Sequence, residues 1–364
     1  MDADCRALVA ERIRQRGPVT VAEFMDLALY APEVGYYARA AQRSGRAGDF
    51  FTSVDVGSVF GALLAERFAS WWRAMGTARI DLVEAGAGNG RLCRDILDAA
   101  ARRDPGFYAA ISASLVERSA LARVAHPGML ASHGPRLTYS GDTMPDDIEG
   151  IVFANELLDA FPVHVVEMGQ AGLREVFVGL ESGRLVDRTG PLSDPALAGY
   201  LADAGITLER GARAEINLAA AAWVADVGAR LRRGFLVLLD YGYEAAELYS
   251  AARAQGTLST YHRHLVDAPG DGAPAGPAWL ADPGSRDLTS HVDFTSVRRA
   301  AERAGLEAVS VSAQTRFLLD ILEGSPLVAE LSAPDRLADR LSLKTLLMPG
   351  GLGSTHTVMV FAKR

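Results

Sequence analysis

The sequence predicts an α/β fold built on a doubly wound, mostly parallel sheet, and three observations carry that expectation. Short apolar runs of strand length alternate with helical stretches through most of the chain. One of these runs, Ile80-Asp-Leu-Val-Glu-Ala85, leads into glycines at alternate positions, Gly86, Gly88 and Gly90, and then into a helical segment from Arg91. The final run, Thr357-Val-Met-Val-Phe361, has no helix after it, so it is expected to enter the sheet as an antiparallel strand.

Taken in order, residues 5–16 read as an amphipathic helix closed by Gly17-Pro18. Thr20 reads as an N-cap, with Glu23 completing a capping box for a helix that runs through Tyr30 and breaks at Pro32 and Gly35. Residues 44–53, rich in glycine and small polar residues, read as a loop, and 59–75 as a helix ending near Trp71 and Trp72. Strands are expected over 113–117, 137–140, 150–154, 234–240, 307–312 and 355–362, with helices over 212–231 and 294–304. Residues 163–168 and 175–180 break this rhythm and read as paired strands turning at 169–172. Residues 266–287, dense in proline and glycine, read as an irregular segment. The organisation expected is an N-terminal helical cap over 1–78 and a main domain over 79–364. Insertions at about 163–210 and 243–290 would follow strands 4 and 5.

Composition narrows the function classes. The chain has 364 residues, 49% hydrophobic and 23% charged, enough for a sizeable globular core. Its 45 acidic residues exceed its 37 basic ones, which leaves no electrostatic footprint for nucleic acid and leaves room for a cationic substrate. Cys5 and Cys93 make neither a disulfide framework nor a zinc site, and His262, His264 and His291 match no tight ligand spacing, so no metal is expected. No run approaches the roughly 18 apolar residues of a membrane span. The acidic start, Met1-Asp-Ala-Asp-Cys5, does not resemble a signal peptide, and a cytoplasmic protein without a membrane partner is expected. A homodimer is left open.

In an open α/β sheet, ligands bind beyond the carboxyl ends of the strands, so each strand end supplies candidates. Gly86, Gly88 and Gly90 let backbone approach a ligand beside a helix N-terminus. Their G-x-G-x-G spacing differs from the G-x-G-x-x-G of dinucleotide binders. Glu84 beside them suits an ammonium or sulfonium better than a pyrophosphate, and the combination points to S-adenosylmethionine. Glu117, followed by Arg118, can accept both ribose hydroxyls. Asp142 can accept from an adenine amino group, with Thr143 capping the next segment; an Asx turn at Asp142 is the plainer alternative. The fourth strand runs into Asn155 and Glu156, then Asp159 and Pro162. If this stretch is helical, Glu156 and Asp159 share a face, where they could clamp a guanidinium or accept a proton. Helix capping with a structural ion pair is the plainer alternative. Asp240 and Tyr241, at the fifth strand end, are expected beside the same cleft.

These residues together resemble the MidA-like family of class I S-adenosylmethionine-dependent methyltransferases, whose mitochondrial member is a protein arginine methyltransferase that assists respiratory complex I assembly. The resemblance rests on Phe24 to Tyr37, Gly48 to Thr52, Phe60-Gly61, Val83 to Leu92 and Ala154 to Pro162. Asp240 to Gly242, Asp287 to Phe294 and Gln314 to Leu318 complete it. It implies a class I Rossmann-like sheet and S-adenosylmethionine as cofactor, with S-adenosylhomocysteine as product. It implies cofactor contacts from Gly86, Gly88, Glu117 and Asp142, with Glu84, Gly90, Arg118 and Thr143 grouped beside them. Gly48, Asp49, Phe50 and Thr52 would cover the cofactor, and Asn155 and Glu156 would face the transferred methyl. The activity implied is methyl transfer to an arginine or other nitrogen of a protein. Alternatives are a small-molecule O- or N-methyltransferase and a cofactor-binding assembly factor with little turnover.

Overall fold

Seven of the apolar runs form one sheet in the computed structural model, which describes residues 4–39, 45, 52–262, 265–267, 276–348 and 352–364. The strands are β1 (Ile80–Ala85), β2 (Ile111–Val116), β3 (Leu137–Gly141), β4 (Ile148–Asn155), β5 (Leu231–Asp240), β6 (Glu307–Ala313) and β7 (Thr357–Lys363). Their order is β6-β7-β5-β4-β1-β2-β3. The run from β5 through β3 is parallel, and β7 lies antiparallel between β5 and β6, as its missing helix predicted. β1 has β2 on one side and β4 on the other, so the chains leaving β1 and β4 diverge and open a crevice at the switch point.

Helices cover both faces, which is why β1, β4 and β5 are buried along most of their length rather than at alternate residues. On one face, α4 (Val59–Met75) and α5 (Arg91–Arg103) share a core with Leu82, Phe153 and Val237. Gly61 lets these two helices meet. A Cβ there would stand 2.6 Å from the Asp95 Cβ, closer than side chains approach. The opposite face is covered by α7 (Leu218–Arg230) and α8 (Phe294–Arg303), while α6 (Ala120–Met129) lies between β2 and β3 in the chain.

A second sheet stands apart from the first and draws on distant stretches of chain. His164–Gly169 and Gly172–Glu181 pair antiparallel with Gly169 opposite Gly172, as the hairpin pattern predicted. Arg184–Gly190 and Arg213–Ile216 extend this sheet, and Val19–Thr20 from the N-terminal region pairs with Val178 and Phe177. Helices α1 (Cys5–Arg16) and α2 (Val21–Tyr30) pack on it through Val9, Phe24 and Met25 against Val165 and Val176. Residues 1–78 therefore divide. α1 and α2 join the insertion sheet, while the apolar side of α4 (Phe60, Leu63, Leu64, Phe68) joins the main core.

Two local expectations are corrected. The helix expected over 212–231 starts only at Leu218, because Arg213–Ile216 is claimed by pairing with His164–Glu167 and Asn217 caps the helix through the Ala220 N–H. The Thr20 capping box is half formed. Thr20 accepts from the Glu23 N–H, but the Glu23 carboxylate turns to Arg12 at 2.8 Å. Of the irregular 266–287 segment, residues 268–275 lie outside the described residues, whereas Asp287–Thr289 pairs with Ser259–His262.

Asp81, Gly150 and Gly234 lie in one row across β1, β4 and β5. A Cβ on Gly150 would fall 2.0 Å from the Asp81 carbonyl oxygen, and one on Gly234, whose φ is +130°, would fall 1.8 Å from the Gly150 oxygen. Main chain cannot yield as a side-chain tip can. Gly234→Ala is expected to lower unfolding free energy by at least about 2 kcal/mol in a denaturant titration. A change under about 0.5 kcal/mol would show that the row relaxes freely.

Candidate active site

The loop after β1 is tied to the next strand before it turns, since the Gly86 and Ala87 N–H groups both donate to the Val116 carbonyl. Gly86, Gly88 and Gly90 all have positive φ, at 69°, 52° and 85°. Gly86 and Gly88 line a cavity of about 540 Å³ that opens over the carboxyl ends of β1, β2 and β4. A Cβ on Gly88 would meet nothing within 4 Å, so bare main chain borders open space there. Gly90 lies off the cavity lining. A Cβ there would press on Leu115 at 3.0 Å and Leu130 at 3.2 Å, so this glycine serves the packing of the α5 entry rather than a ligand.

Six carboxylates border the same space. Glu84 is buried at the end of β1 and accepts the Cys93 N–H in the first turn of α5 at 3.0 Å; burial pushes its pKa well up. Glu117 holds the glycine loop, with Oε2 accepting the Gly88 N–H at 2.8 Å and Oε1 the Ser119 N–H at 2.7 Å. Burial raises its pKa too, against the pull of those two N–H groups. Asp142 stands at the exposed rim, 3.8 Å from Arg123. Asp55 pairs with Arg91 at 3.2 Å, and both line the cavity. Arg118 also lines it, stacked over the Tyr30 ring at 4.2 Å and paired with Asp26 at 2.8 Å. Thr143 does not line it. It is exposed and its hydroxyl meets that of Tyr139. Gly48, Asp49 and Phe50 lie outside the described residues. Thr52 is buried on the cavity wall and caps α3 (Ser53–Val56) in a reciprocal box with Asp55.

The corner after β4 is where the chain departs most from regular geometry. The Glu156 N–H still donates to the Leu239 carbonyl of β5, but its φ is +52°, a conformation costly for a side chain of this kind. Asp240 compels the turn, because its carboxylate accepts the Leu157 and Leu158 N–H groups at 3.2 and 2.8 Å. Asp240 is thus buried beneath the corner, not beside the cleft, and burial pushes its pKa well up. Asn155 and Glu156 line the cavity. Glu156 Oε1 receives the Asn155 Nδ2–H at 3.1 Å and the Ser53 N–H at 3.4 Å, and His356 Nε2 lies 3.4 Å away. Asn155 Oδ1 is buried with no hydrogen-bond partner among the described residues.

Asp159 does not share a face with Glu156. The left-handed Glu156 breaks the helical phase, and a single 3₁₀ turn begins only at Leu158. Asp159 lies behind the cavity wall and accepts the Tyr241 hydroxyl. Tyr241 likewise lies off the lining, edge-on to the rings of His291 and His356. Among the described residues no group of three or more His, Cys, Asp or Glu side chains is placed to hold a metal.

Sequence reasoning missed Ser53 and His356 at the Glu156 carboxylate, and Tyr30, Tyr37 and Trp223 on the cavity wall. The signals near the first pair were the Gly48 to Thr52 motif, which ends beside Ser53, and the Gln314 motif, since Gln314 accepts the Ser53 hydroxyl. The residues present suit an adenosyl sulfonium ligand. They offer open main chain at Gly88, a carboxylate on the cavity wall at Glu117, and an orphaned acceptor at Asn155.

Burial raises the Asp159 pKa to about 7, with the Tyr241 hydrogen bond opposing and the Glu156 charge reinforcing it. The folded state therefore holds a proton that the unfolded chain releases near its ordinary value of about 4. This contribution to stability is complete below about pH 4 and is lost as pH rises through about 7. Asp159→Asn, a permanently neutral mimic, is expected to gain roughly 1–3 kcal/mol on the native protein between about pH 5 and about pH 8 in paired unfolding titrations. A pH-independent difference between the two proteins would refute the assignment.

Residues 63–312 match the family described as "Putative S-adenosyl-L-methionine-dependent methyltransferase". The chain is 30% identical over 351 residues to the mitochondrial protein arginine methyltransferase NDUFAF7 of Mus musculus, spanning 85% of this chain and 74% of that protein. Its identity to the Drosophila melanogaster homologue is 27% over 361 residues, covering 88% and 75% of the two chains. A Burkholderia thailandensis protein crystallised with S-adenosylhomocysteine superposes with a TM-score of 0.84 at 29% identity, covering 99% of this chain and 92% of that one. The fold, the cofactor and the reaction class follow together, and the chain belongs to this family of S-adenosyl-L-methionine-dependent methyltransferases.

Proposed function

We propose that this protein transfers methyl groups to a guanidinium nitrogen of a protein acceptor, with Glu156 as the residue that receives and orients the acceptor. The observation that carries this reading is the charge of the cavity wall. Asp26, Asp55, Glu117, Asp142 and Glu156 line it against Arg91 and Arg118, and the buried Glu84, whose pKa burial raises, adds a sixth carboxyl group. Such a wall draws in a cationic side chain and disfavours an anionic one. The names of the Mus musculus and Drosophila melanogaster relatives, protein arginine methyltransferases, point the same way.

When bound, the cofactor supplies an electrophilic methyl on a positive sulfur. The chain's own part is positioning and charge. Glu156 accepts an acceptor N–H, turns the nitrogen lone pair toward the methyl and takes up the proton that the nitrogen gives up. Asn155 Oδ1, buried and unpaired among the described residues, accepts a second N–H. The fixed N–H donors on Glu156 Oε1 need no rearrangement as charge moves.

Two outcomes test this. With tritiated S-adenosylmethionine and a cell lysate as acceptor, label should enter acid-stable protein and appear as methylarginine on hydrolysis. Label confined to small molecules would overturn the protein acceptor. Glu156→Gln is expected to cut incorporation at least about 100-fold while cofactor affinity stays within about threefold; undiminished incorporation would remove Glu156 from its role. Glu117→Ala should act on the other ligand, raising the cofactor dissociation constant at least about tenfold in calorimetry.

A further inference from the structure

Three buried residues that do not border the cavity close a circuit onto the Glu156 carboxylate. Ser53 enters from α3, Gln314 opens the helix α9 (Gln314–Leu322), and His356 immediately precedes β7. The Ser53 N–H donates to Glu156 Oε1 at 3.4 Å, and the Ser53 hydroxyl donates to Gln314 Oε1 at 3.1 Å. The Gln314 main-chain N–H donates to the His356 carbonyl at 2.9 Å, and His356 Nε2 returns to within 3.4 Å of Glu156 Oε1. The Tyr241 ring meets the His356 imidazole nearly at right angles, with centroids 5.5 Å apart.

The circuit converges on one oxygen. A carboxylate is planar, so holding Oε1 from the protein side fixes the direction in which Oε2 is presented. Packing alone does not account for the residues chosen. Gln314 is fully buried, and its Nε2 has no partner among the described residues, a cost that an apolar side chain of the same volume would avoid. The left-handed backbone at Glu156 gives a reason for the expense, because a strained residue keeps its geometry only where its surroundings over-determine it.

We infer that His356 and Gln314 are positioning residues for methyl transfer, aiming the Glu156 carboxylate at the transferred methyl from the antiparallel side of the sheet. The inference rests on the reading that Glu156 faces that methyl. It requires His356 to act through Nε2, with glutamine, whose amide nitrogen can reach the same point, as its conservative replacement.

The test needs no acceptor. Sinefungin carries an amine where S-adenosylmethionine carries its methyl, so its affinity relative to S-adenosylhomocysteine reports a carboxylate aimed at that point. Calorimetry on the full chain gives the ratio. Glu156→Gln is expected to reduce the sinefungin preference about tenfold, and His356→Ala and Gln314→Ala to reduce it between about threefold and tenfold. S-adenosylhomocysteine affinity should stay within about twofold in all of them, and His356→Gln should retain the native preference. An unchanged ratio in Glu156→Gln removes the underlying reading and this role with it. A reduced ratio there beside a native ratio in His356→Ala overturns the inference alone. A loss shared by both ligands, or by His356→Gln, assigns His356 to packing and also overturns it.

Discussion

The carboxylate of Asp240 is the constraint on which the site depends. It terminates β5 fully inside the protein, where an uncompensated charge would be prohibitive. The N–H groups of Leu157 and Leu158, together with that of Tyr241, supply the compensation. Those same amides have no strand or helix to satisfy them once β4 ends, so each side of the exchange requires the other. The result is a chain that turns at Glu156 instead of continuing, at the expense of a left-handed residue. Other elements then fasten to the short segment behind it. Asn217, the cap of α7, donates to the Leu158 carbonyl; the Tyr30 hydroxyl at the end of α2 donates to Ala160; and the Ser290 N–H donates to Asp159. Main sheet, N-terminal helices and the insertion after β5 meet there.

Fixed hydrogen bonds, not free charge, hold the acidic groups around this corner. Glu84, Asp240 and Asp159 are buried carboxylates whose pKa values burial drives upward, and each is held by fixed donors instead of by a mobile cation. The glycine loop is clamped in the same manner. Glu117 accepts the Gly88 N–H, while the His126 Nε2–H donates to the Gly88 carbonyl at 2.8 Å and its Nδ1 meets the Ser140 hydroxyl. Burial lowers the His126 pKa, which favours the neutral ring that can accept the Ser140 proton. A cationic ligand entering this space finds donors and acceptors already in place, and little reorganisation is left for the reaction.

What could be read from the sequence was what neighbouring residues decide among themselves. The glycine spacing, the helix over 59–75, the hairpin at Gly169 and Gly172 and the partnerless β7 are all local patterns, and all appear in the fold. The failures share one cause, a partner distant in sequence. Asp159 seemed to face with Glu156 because a helical turn was assumed, and the residue that forbids it, Asp240, lies some eighty positions away. Nothing in the spacing tells Gly88, which borders the cavity, from Gly90, which faces Leu115 and Leu130. Arg213–Ile216 resembled the alanine-rich helix after it until the hairpin claimed it, although Asn217 was a legible cap. Ser53, Gln314 and His356 have no pattern in common and are joined only by folding.

The two lobes meet at the Glu156 corner for a reason that bears on how one reaction scheme accommodates different acceptors. The donor side is framed by loops after β1, β2 and β3, short connections within the main sheet. The second lobe is assembled from α1, α2 and chain inserted after β4 and β5, the two strands that Asp240 locks together. Its Tyr30 reaches the cavity from one side and, through the Ala160 carbonyl, steadies the corner from behind. On the proposed function, with the glycine loop and Glu117 given to the cofactor, an acceptor would approach Glu156 along this second lobe. Acceptor recognition can then change through the inserted segments while Asp240, the glycine loop and the strand order remain fixed, because no donor-side hydrogen bond at Gly88 or Glu117 passes through the inserted chain. The corner belongs to both lobes, which is why its geometry is held by several separate elements at once.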